Sequence, residues 1–279
     1  MGIKIEDTEV FGWRKAIKGA RNPMNSWEKS DSRMCYGSSQ QKDLCDHCIY
    51  SYDVHGPWNC DLLTGLPGKS TYIIGPNDHK LLMNLCKGGT EEAKWRRMVH
   101  VQMDVTAPLY WWKEFETYKV GTVSNSCSTM HKIQAKEFTL DDFSCEHLID
   151  HEDIEWPEDF DADHPYNITG IPVVVRGFDD NYHDLYFSPK GLLNLEVEMF
   201  NKCRDLFLKT KDKKYWWQMI QLLPTSYNQR RTIDLNYEVL VAQYRQRKDH
   251  KLDEWHQYCD WIKICPIRSL LRWRKLNDS

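Results

Sequence analysis

The sequence lacks a long apolar run, an apolar N-terminal segment and an excess of basic residues. No stretch of about 18 apolar residues occurs, so we expect no transmembrane helix. Residues Met1 to Glu6 do not form the apolar core of a signal peptide, which favours a cytoplasmic location. The formal net charge of −4 gives no direct indication of nucleic-acid binding. In a reducing cytosol most of the ten cysteines should be free thiols.

Aromatic residues, by contrast, are abundant. The chain carries 12 Trp and 14 Tyr in 279 residues, although its mean hydropathy is only −0.67. Large rings in an otherwise polar chain are typical of an aromatic-rich core or of the walls of a ligand site. The chain is long enough to bury a large core, and we predict one domain spanning residues 1–279.

Hydrophobic periodicity predicts both strands and helices. Apolar and polar residues alternate from Val99 to Val105, as in a half-buried strand. Apolar residues spaced by three and four from Leu192 to Leu206 indicate an amphipathic helix. Further predicted elements are a strand and helix start at 7–21, strands at 72–74 and 171–176, and helices at 80–87, 214–222, from about 235, and 251–264. This mixture predicts an α+β fold.

Two regions interrupt the pattern. Residues 22–70 are rich in Ser, Asp, Gly, Pro and Cys and are predicted to be an irregular insertion, whereas residues 134–190 form an acidic, loop-rich region. The insertion contains a C-x-x-C pair and two more cysteines, namely Cys35, Cys45, Cys48 and Cys60. Four thiolates at this spacing suit a tetrahedral structural zinc ion. The alternative is four unconnected thiols, because the second C-x-x-C pair of a zinc ribbon is missing.

Two sequence blocks share an order of motifs with a known family. Val105 to Lys119 reads as a strand, an Ala-Pro turn and a charged, aromatic helix, and Asn125 to His131 follows as a polar loop. Later, Leu223-Pro224, Asn236 and Arg247 are spaced by 12 and 11 residues. This order resembles the signature of the flavin-dependent thymidylate synthases, the thymidylate synthase complementing family. The resemblance covers roughly residues 72–133 and 215–265, with a weaker match at 8–20.

The resemblance implies a fold and an activity. The family has a mixed sheet with packed helices and a long helix at the subunit interface of a homotetramer. It methylates dUMP reductively to dTMP with FAD, NADPH and methylene-tetrahydrofolate. By position, Arg247 matches an arginine that contacts the pyrimidine and helps to activate it. The other matched positions are Ser128, Lys119 and Asn125 for the substrate nucleotide, and Lys113, Tyr118 and Asn236 on the cofactor side.

The sequence departs from the family at several charged positions. Glu114 stands where the family has a glutamine, and Met130 stands where it has a substrate-binding arginine. Lys113 and Lys119 keep a positive charge but lack the planar fork of arginine, which binds phosphate through two hydrogen bonds. The aromatic residues between Tyr110 and Tyr118 either fill the core or stack on a ligand ring.

Three hypotheses about function therefore stay open. The first is a divergent synthase-like protein that binds a pyrimidine nucleotide and is catalytic only if its site has been remodelled. The second is a non-catalytic protein on the same fold, encoded by a phage or mobile element, that sequesters a nucleotide or engages a protein partner. The third is a different flavin-dependent or nucleotide-modifying reaction on this scaffold, because a fold does not fix the chemistry.

Overall fold

The computed structural model describes residues 2–35, 71–150, 171–176 and 182–264. Its strands are β1 (Lys4–Phe11), β2 (Arg33–Cys35), β3 (Thr71–Ile73), β4 (His100–Pro108), β5 (Thr122–Ser126), β6 (Ile171–Arg176), β7 (Tyr182–Phe187) and β8 (Asn228–Asn236). Its helices are α1 (Trp13–Arg21), α2 (Pro76–Lys87), α3 (Leu109–Phe115), α4 (Thr129–Lys132), α5 (Pro189–Thr210), α6 (Lys213–Leu222), α7 (Tyr237–Arg247) and α8 (Asp253–Ile264). Short 3-10 helices occupy Asn22–Met24, Trp27–Lys29, Ala93–Met98 and Leu140–Asp142.

The strands form one larger sheet and two small ones. The larger sheet has the order β1-β4-β8-β5, while β2 pairs antiparallel with β3 and β6 pairs antiparallel with β7. The α+β class predicted from the sequence is confirmed. None of the helices in the described ranges has the length and apolarity needed to cross a bilayer.

The chain forms two compact units. Among the described residues, the first unit comprises 106–114, 126–150, 171–176 and 182–230, and the second comprises 3–35, 71–105, 115–125 and 231–264. Most residues of the four-stranded sheet belong to the second unit.

In the first unit, α5 packs against α6 over an apolar core. The buried side chains of this core are Ile133, Phe138, Phe143, Leu193, Phe200 and Met219. The hydroxyl of Ser188 caps α5 by accepting a hydrogen bond from the amide of Gly191 (2.9 Å), and Pro189 starts the helix where no amide is needed. The amphipathic helix predicted between Leu192 and Leu206 is thus confirmed within a helix of 22 residues.

In the second unit, α1 and α7 meet through an edge-to-face contact between aromatic rings. The Trp13 ring lies edge-on to Tyr237, with centroids 5.1 Å apart, and tilted against Trp95 at 6.1 Å. All three side chains are buried. Gly12 makes this packing possible, because its φ is +97° and a Cβ there would lie 2.2 Å from the carbonyl oxygen of Met98.

A buried carboxylate fastens α2 to the residues after α1. Asp78 accepts hydrogen bonds from Nε of Arg21 (2.6 Å), the hydroxyl of Ser30 (2.7 Å) and the amide of Ser32 (3.1 Å). In return, the carboxylate of Asp31 accepts from the amides of Asn77 (2.9 Å) and Asp78 (3.1 Å), so it caps the first turn of α2. Part of the region predicted to be irregular, up to residue 35, is therefore held by specific polar contacts.

Several predicted boundaries were wrong. Helix α2 begins at Pro76 rather than Lys80, because Asp31 satisfies its first amides. The helix expected from about Leu235 begins at Tyr237, and the preceding residues form β8. The insertion predicted at 22–70 contains β2 at its described end, and residues 36–70 lie outside the described part of the chain.

Candidate functional site

A cavity of about 370 Å³ opens in the second unit at the start of α7. It is lined by Arg97, Thr117, Tyr118, Lys119, Val120, Gly121, Asn236, Glu238, Val239 and Ala242. We call it the α7 cavity. It lies where β8 passes directly into α7, so one of its walls is a helix N-terminus, where the helix dipole favours negative charge.

Asn236 is the junction between β8 and α7. Its side-chain oxygen accepts a hydrogen bond from the amide of Val239 (3.1 Å), which caps the helix, and the residue is 8% exposed. Gly121 passes close over this cap with a φ of +77°, and a Cβ there would lie 2.5 Å from Nδ2 of Asn236. Only glycine allows the loop after α3 to approach the start of α7 so closely.

Three charged side chains determine the electrostatics of the cavity. Arg97 and Lys119 are exposed cations in the lining, and Glu238 places a carboxylate in the first turn of α7. Oε2 of Glu238 is 3.7 Å from Nη1 of Arg96, which is 3% exposed. Arg96 thus offsets the negative charge of Glu238. The charge that faces solvent therefore comes from Arg97 and Lys119, and it favours an anionic ligand.

Tyr118 connects the cavity to the end of α7. Its hydroxyl accepts a hydrogen bond from Nε of Arg247 (2.9 Å) and donates one to Oε1 of Gln246 (2.9 Å). The guanidinium of Arg247 also lies over the ring of Trp255, 4.7 Å from its centroid, and 5.6 Å from that of Tyr118. Cation–π contact and hydrogen bonding thus fix Arg247 against the loop that carries Tyr118.

A second, smaller cavity of about 260 Å³ shares part of this loop. Tyr118 and Lys119 line it together with Phe115, Glu116, Thr122 and Ser124. Oε1 of Glu116 pairs with Nη1 of Arg231 at 2.7 Å. The loop between α3 and β5 is therefore the element on which both cavities depend.

The sequence-predicted site residues fall into three groups. Tyr118, Lys119 and Asn236 line the α7 cavity together, and Arg247 contacts it through Tyr118. Asn125 is exposed on β5 and is outside this lining. Lys113 and Ser128 belong to the first unit.

In the first unit, these two residues have different surroundings. Lys113 is exposed in the last turn of α3. The hydroxyl of Ser128 caps α4 by accepting a hydrogen bond from the amide of His131 (3.1 Å). A serine at such a short helix start has an ordinary capping function, and any contact with a phosphate would be additional.

The aromatic helix predicted from Tyr110 to Tyr118 is shorter than expected. Helix α3 ends at Phe115, and the amide of Tyr118 donates to the carbonyl of Phe115 in the following turn (3.1 Å). Trp111, Trp112 and Phe115 are buried, and the indole of Trp112 donates to the carbonyl of Gln229 (2.9 Å). These three rings belong to the core, so of this aromatic run Tyr118 is the residue found in the lining of the α7 cavity.

Arg97, Gly121 and Glu238 were not predicted as site residues. Arg97 ends a short 3-10 segment, Gly121 lies in a turn, and Glu238 follows the helix cap, so their positions in the sequence gave no common signal. Of the four cysteines predicted to bind zinc, Cys35 lies on β2, and Cys45, Cys48 and Cys60 are outside the described residues. Within the described ranges, no group of three or more potential metal ligands occurs.

Comparison with known proteins supports the fold. Two structures of the flavin-dependent thymidylate synthase ThyX from Helicobacter pylori, both with FAD and dUMP, align with a TM-score of 0.51 over 98% of each chain at 11% identity. A UMP/dUMP methylase from Streptomyces cacaoi aligns over 96% of this chain and 93% of its own at 12% identity. Its TM-score of 0.44 is too low to support the fold. No protein-family model and no curated protein sequence matches the chain. The chain therefore has a fold like that of the flavin-dependent thymidylate synthases.

Proposed function

We propose that the protein binds a pyrimidine nucleotide, with its phosphate at the start of α7. The observation that carries this proposal is the α7 cavity, whose lining combines a helix N-terminus with the cations Arg97 and Lys119. The helix dipole and the two positive side chains both favour a phosphate group, whereas the carboxylate of Glu238 in the same lining opposes it and is offset by Arg96. The fold is shared with proteins whose structures hold FAD and dUMP, which supports a nucleotide over other anions.

Tyr118 and Asn236 shape the cavity beside these charges. Tyr118 offers a ring for stacking on a base, and the amide of Asn236 orients the helix start. Arg247 holds Tyr118 in place through a hydrogen bond. We propose that Arg247 acts on the nucleotide through Tyr118 and that it also contacts the pyrimidine, as the resemblance implies. Ser128 and Lys113 in the first unit and Asn125 in the second are proposed as contacts by resemblance alone.

We further propose that the protein binds a flavin and methylates the nucleotide reductively. Because Arg97, Lys119 and the start of α7 are assigned to the nucleotide phosphate, the phosphates of FAD need other contacts, for which Lys113, Tyr118 and Asn236 are proposed by resemblance. When bound, a flavin would carry the hydride that NADPH supplies, and methylene-tetrahydrofolate would supply the carbon of the methyl group. The residues of the chain would bind the phosphates, orient the rings and exclude water.

The test is to measure nucleotide and flavin binding on the same preparations. We expect dUMP to bind in calorimetric titration and FAD to be retained, as an absorption band near 450 nm (about the flavin maximum), after desalting. Charge reversal by Lys119→Glu should weaken the binding of dUMP by about 10- to 100-fold, because a charge-assisted contact contributes about 1.5–3 kcal/mol. The control is Lys87→Glu, which reverses an exposed lysine at the end of α2 outside the lining.

Each result distinguishes the hypotheses. Retained flavin and dTMP formed from dUMP would support a synthase, whereas dUMP binding without flavin would support a nucleotide-sequestering protein. A different product would support another reaction on the scaffold. If Arg247→Ala and Lys119→Glu both bind dUMP as tightly as the unchanged protein, the proposed site is wrong and a protein-interaction role gains support.

A further inference from the structure

A separate cavity of about 270 Å³ lies in the second unit where β1 ends and α1 begins. Its lining consists of Val10, Phe11, Gly12, Trp13, Arg14, Lys15, Met34 and Tyr72. We call it the β1–α1 cavity. It shares no lining residue with the α7 cavity, so its chemistry must be considered independently.

One wall of the β1–α1 cavity is an exposed aromatic ring with fixed support. Phe11 is 43% exposed, yet its ring stacks on His100 with centroids 5.6 Å apart and planes 17° from parallel. Nδ1 of His100 lies 3.2 Å from Oδ1 of Asp234, which fixes the imidazole in turn. A ring that is held in this way keeps its orientation while it stays open to the cavity, as stacking on a flat ligand requires.

Two exposed cations in the lining of the β1–α1 cavity favour an anionic ligand. Arg14 and Lys15 lie in the first turn of α1, where the helix dipole disfavours cations. In the part of the chain that the structure describes, this turn has no acidic residue and no side-chain cap, and the cavity lining has no acid. An anion at this position would interact favourably with the helix dipole and would reduce the repulsion between the two cations.

Trp13 is a lining residue that also carries a buried hydrogen-bond donor. It belongs to the lining, is 4% exposed, and its indole N–H has no acceptor among the described residues. A buried donor without an acceptor costs free energy, so a polar ligand atom within its reach would be favourable. The close approach of Gly12 to Met98 and the packing of Trp13 on Tyr237 fix this wall to the core.

We propose that the β1–α1 cavity is a second ligand site, which takes a small aromatic anion of the nucleoside monophosphate class. The base stacks on Phe11, and the phosphate lies at the start of α1 between Arg14 and Lys15. The volume of about 270 Å³ lies just below the usual range of about 300–1,000 Å³ for ligand pockets, which restricts the site to one small ligand. The proposal does not depend on the α7 cavity.

The experiment is ultraviolet crosslinking of the full chain with 5-iodo-dUMP, followed by peptide mass spectrometry and quantified over a titration. The aromatic side chains Phe11 and Tyr72 report the β1–α1 cavity, and Tyr118 reports the α7 cavity. We expect saturable crosslinks at Phe11 and Tyr72, and we expect inorganic phosphate to compete with the probe and lower their yield. The double variant Arg14→Glu/Lys15→Glu should lower their yield at least tenfold without changing the yield at Tyr118.

Two further variants make the result decisive. Lys18→Glu reverses an exposed lysine on the same helix outside the lining, so its crosslinks should be unchanged. Phe11→Leu keeps an apolar side chain but removes the ring, and it should shift saturation at Tyr72 to at least tenfold higher probe concentration, even if the charge-reversed variant fails to fold. Absence of crosslinks at Phe11 and Tyr72, or equal loss in Lys18→Glu, would overturn the proposal. Missing crosslinks at Tyr118 alone would instead count against the α7 site.

Discussion

Asp78 accepts hydrogen bonds from several donors while it is fully buried. Burial by itself raises the pKa of this carboxyl group, but hydrogen bonds from Ser32, Ser30 and Arg21 outweigh it and hold the pKa below its usual range. A carboxyl whose pKa is lowered by folding contributes stability above its unfolded pKa, and the contribution is lost as the pH falls through the folded pKa. Asp78 therefore makes the second unit sensitive to acid.

Replacing Asp78 by alanine should destabilise the protein by about 3–5 kcal/mol at neutral pH, because it leaves the buried Arg21 without its carboxylate. Urea denaturation measures this loss. The matched control is Asp205→Ala, which removes an exposed pair with Arg204 and should cost less than about 1 kcal/mol. The difference between the unchanged protein and Asp78→Ala should shrink below about pH 4, and a difference independent of pH would contradict the assignment.

At the candidate site, the sequence located some residues and missed others for a physical reason. Tyr118, Lys119 and Asn236 were found because they belong to blocks whose spacing resembles a known family. Arg97, which precedes β4, meets Asn236 through the pairing of β4 with β8, and no local pattern encodes that pairing. Glu238 follows Asn236 by two residues, but nothing in the local sequence marks it as part of a site. Arg247 was found by position, but its contact with Tyr118 depends on where α3 ends.

At the scale of elements, periodic segments were predictable and polar ones were not. β4 and α5 follow clear hydrophobic periods, and both were predicted. β8 was missed because its sequence, Asn228 to Asn236, has only two apolar residues, Ile233 and Leu235, and Leu235 was attributed to the start of the next helix. Its place in the middle of the sheet, rather than its composition, makes it a strand.

Helix α5 carries a second apolar face besides the one in the core. Leu192, Leu195, Met199 and Leu206 are exposed and recur at spacings of three, four and seven, so they lie on one side of the helix. Exposed apolar residues aligned in this way favour association with another chain. This face supports the proposed homotetramer, in which the long helix would lie at a subunit interface.

The double variant Leu195→Glu/Met199→Glu should reduce the assembly to smaller species, because each charge would be buried at the contact. Light scattering coupled to size-exclusion chromatography measures the mass. Leu208→Glu serves as the control, since Leu208 is also exposed on α5 but lies on a different side from Leu206. An unchanged mass for the double variant would place the interface elsewhere.

At the scale of the whole molecule, the fold was predictable to the level of class and family likeness. Similarity to the Helicobacter pylori enzyme extends over 98% of the chain, whereas sequence identity is 11%. Hydrophobic patterning survives such divergence, because many sequences satisfy one core. The charges that define a ligand site change with few substitutions, and for that reason the ligand needs direct measurement.

Binding of dUMP should raise the melting temperature of the whole protein in proportion to the logarithm of its concentration. At about 100 times the dissociation constant, the expected stabilisation is about 2.7 kcal/mol, or on the order of 5–10 °C for a chain of this size. Differential scanning fluorimetry checks this, with deoxyuridine as the control that lacks only the phosphate. Equal shifts with deoxyuridine and dUMP would show that the phosphate is not what the protein binds.

The contact between Arg247 and Trp255 has an optical consequence. Trp255 is fully buried, and the guanidinium lies 4.7 Å from its ring centroid, beside the tyrosine that lines the α7 cavity. Indole emission depends on the electric field across the ring, so any movement of Arg247 on ligand binding changes the colour and intensity of that fluorescence. The chain thus contains an intrinsic reporter, and replacing Trp255 by phenylalanine would identify its signal among the other tryptophans.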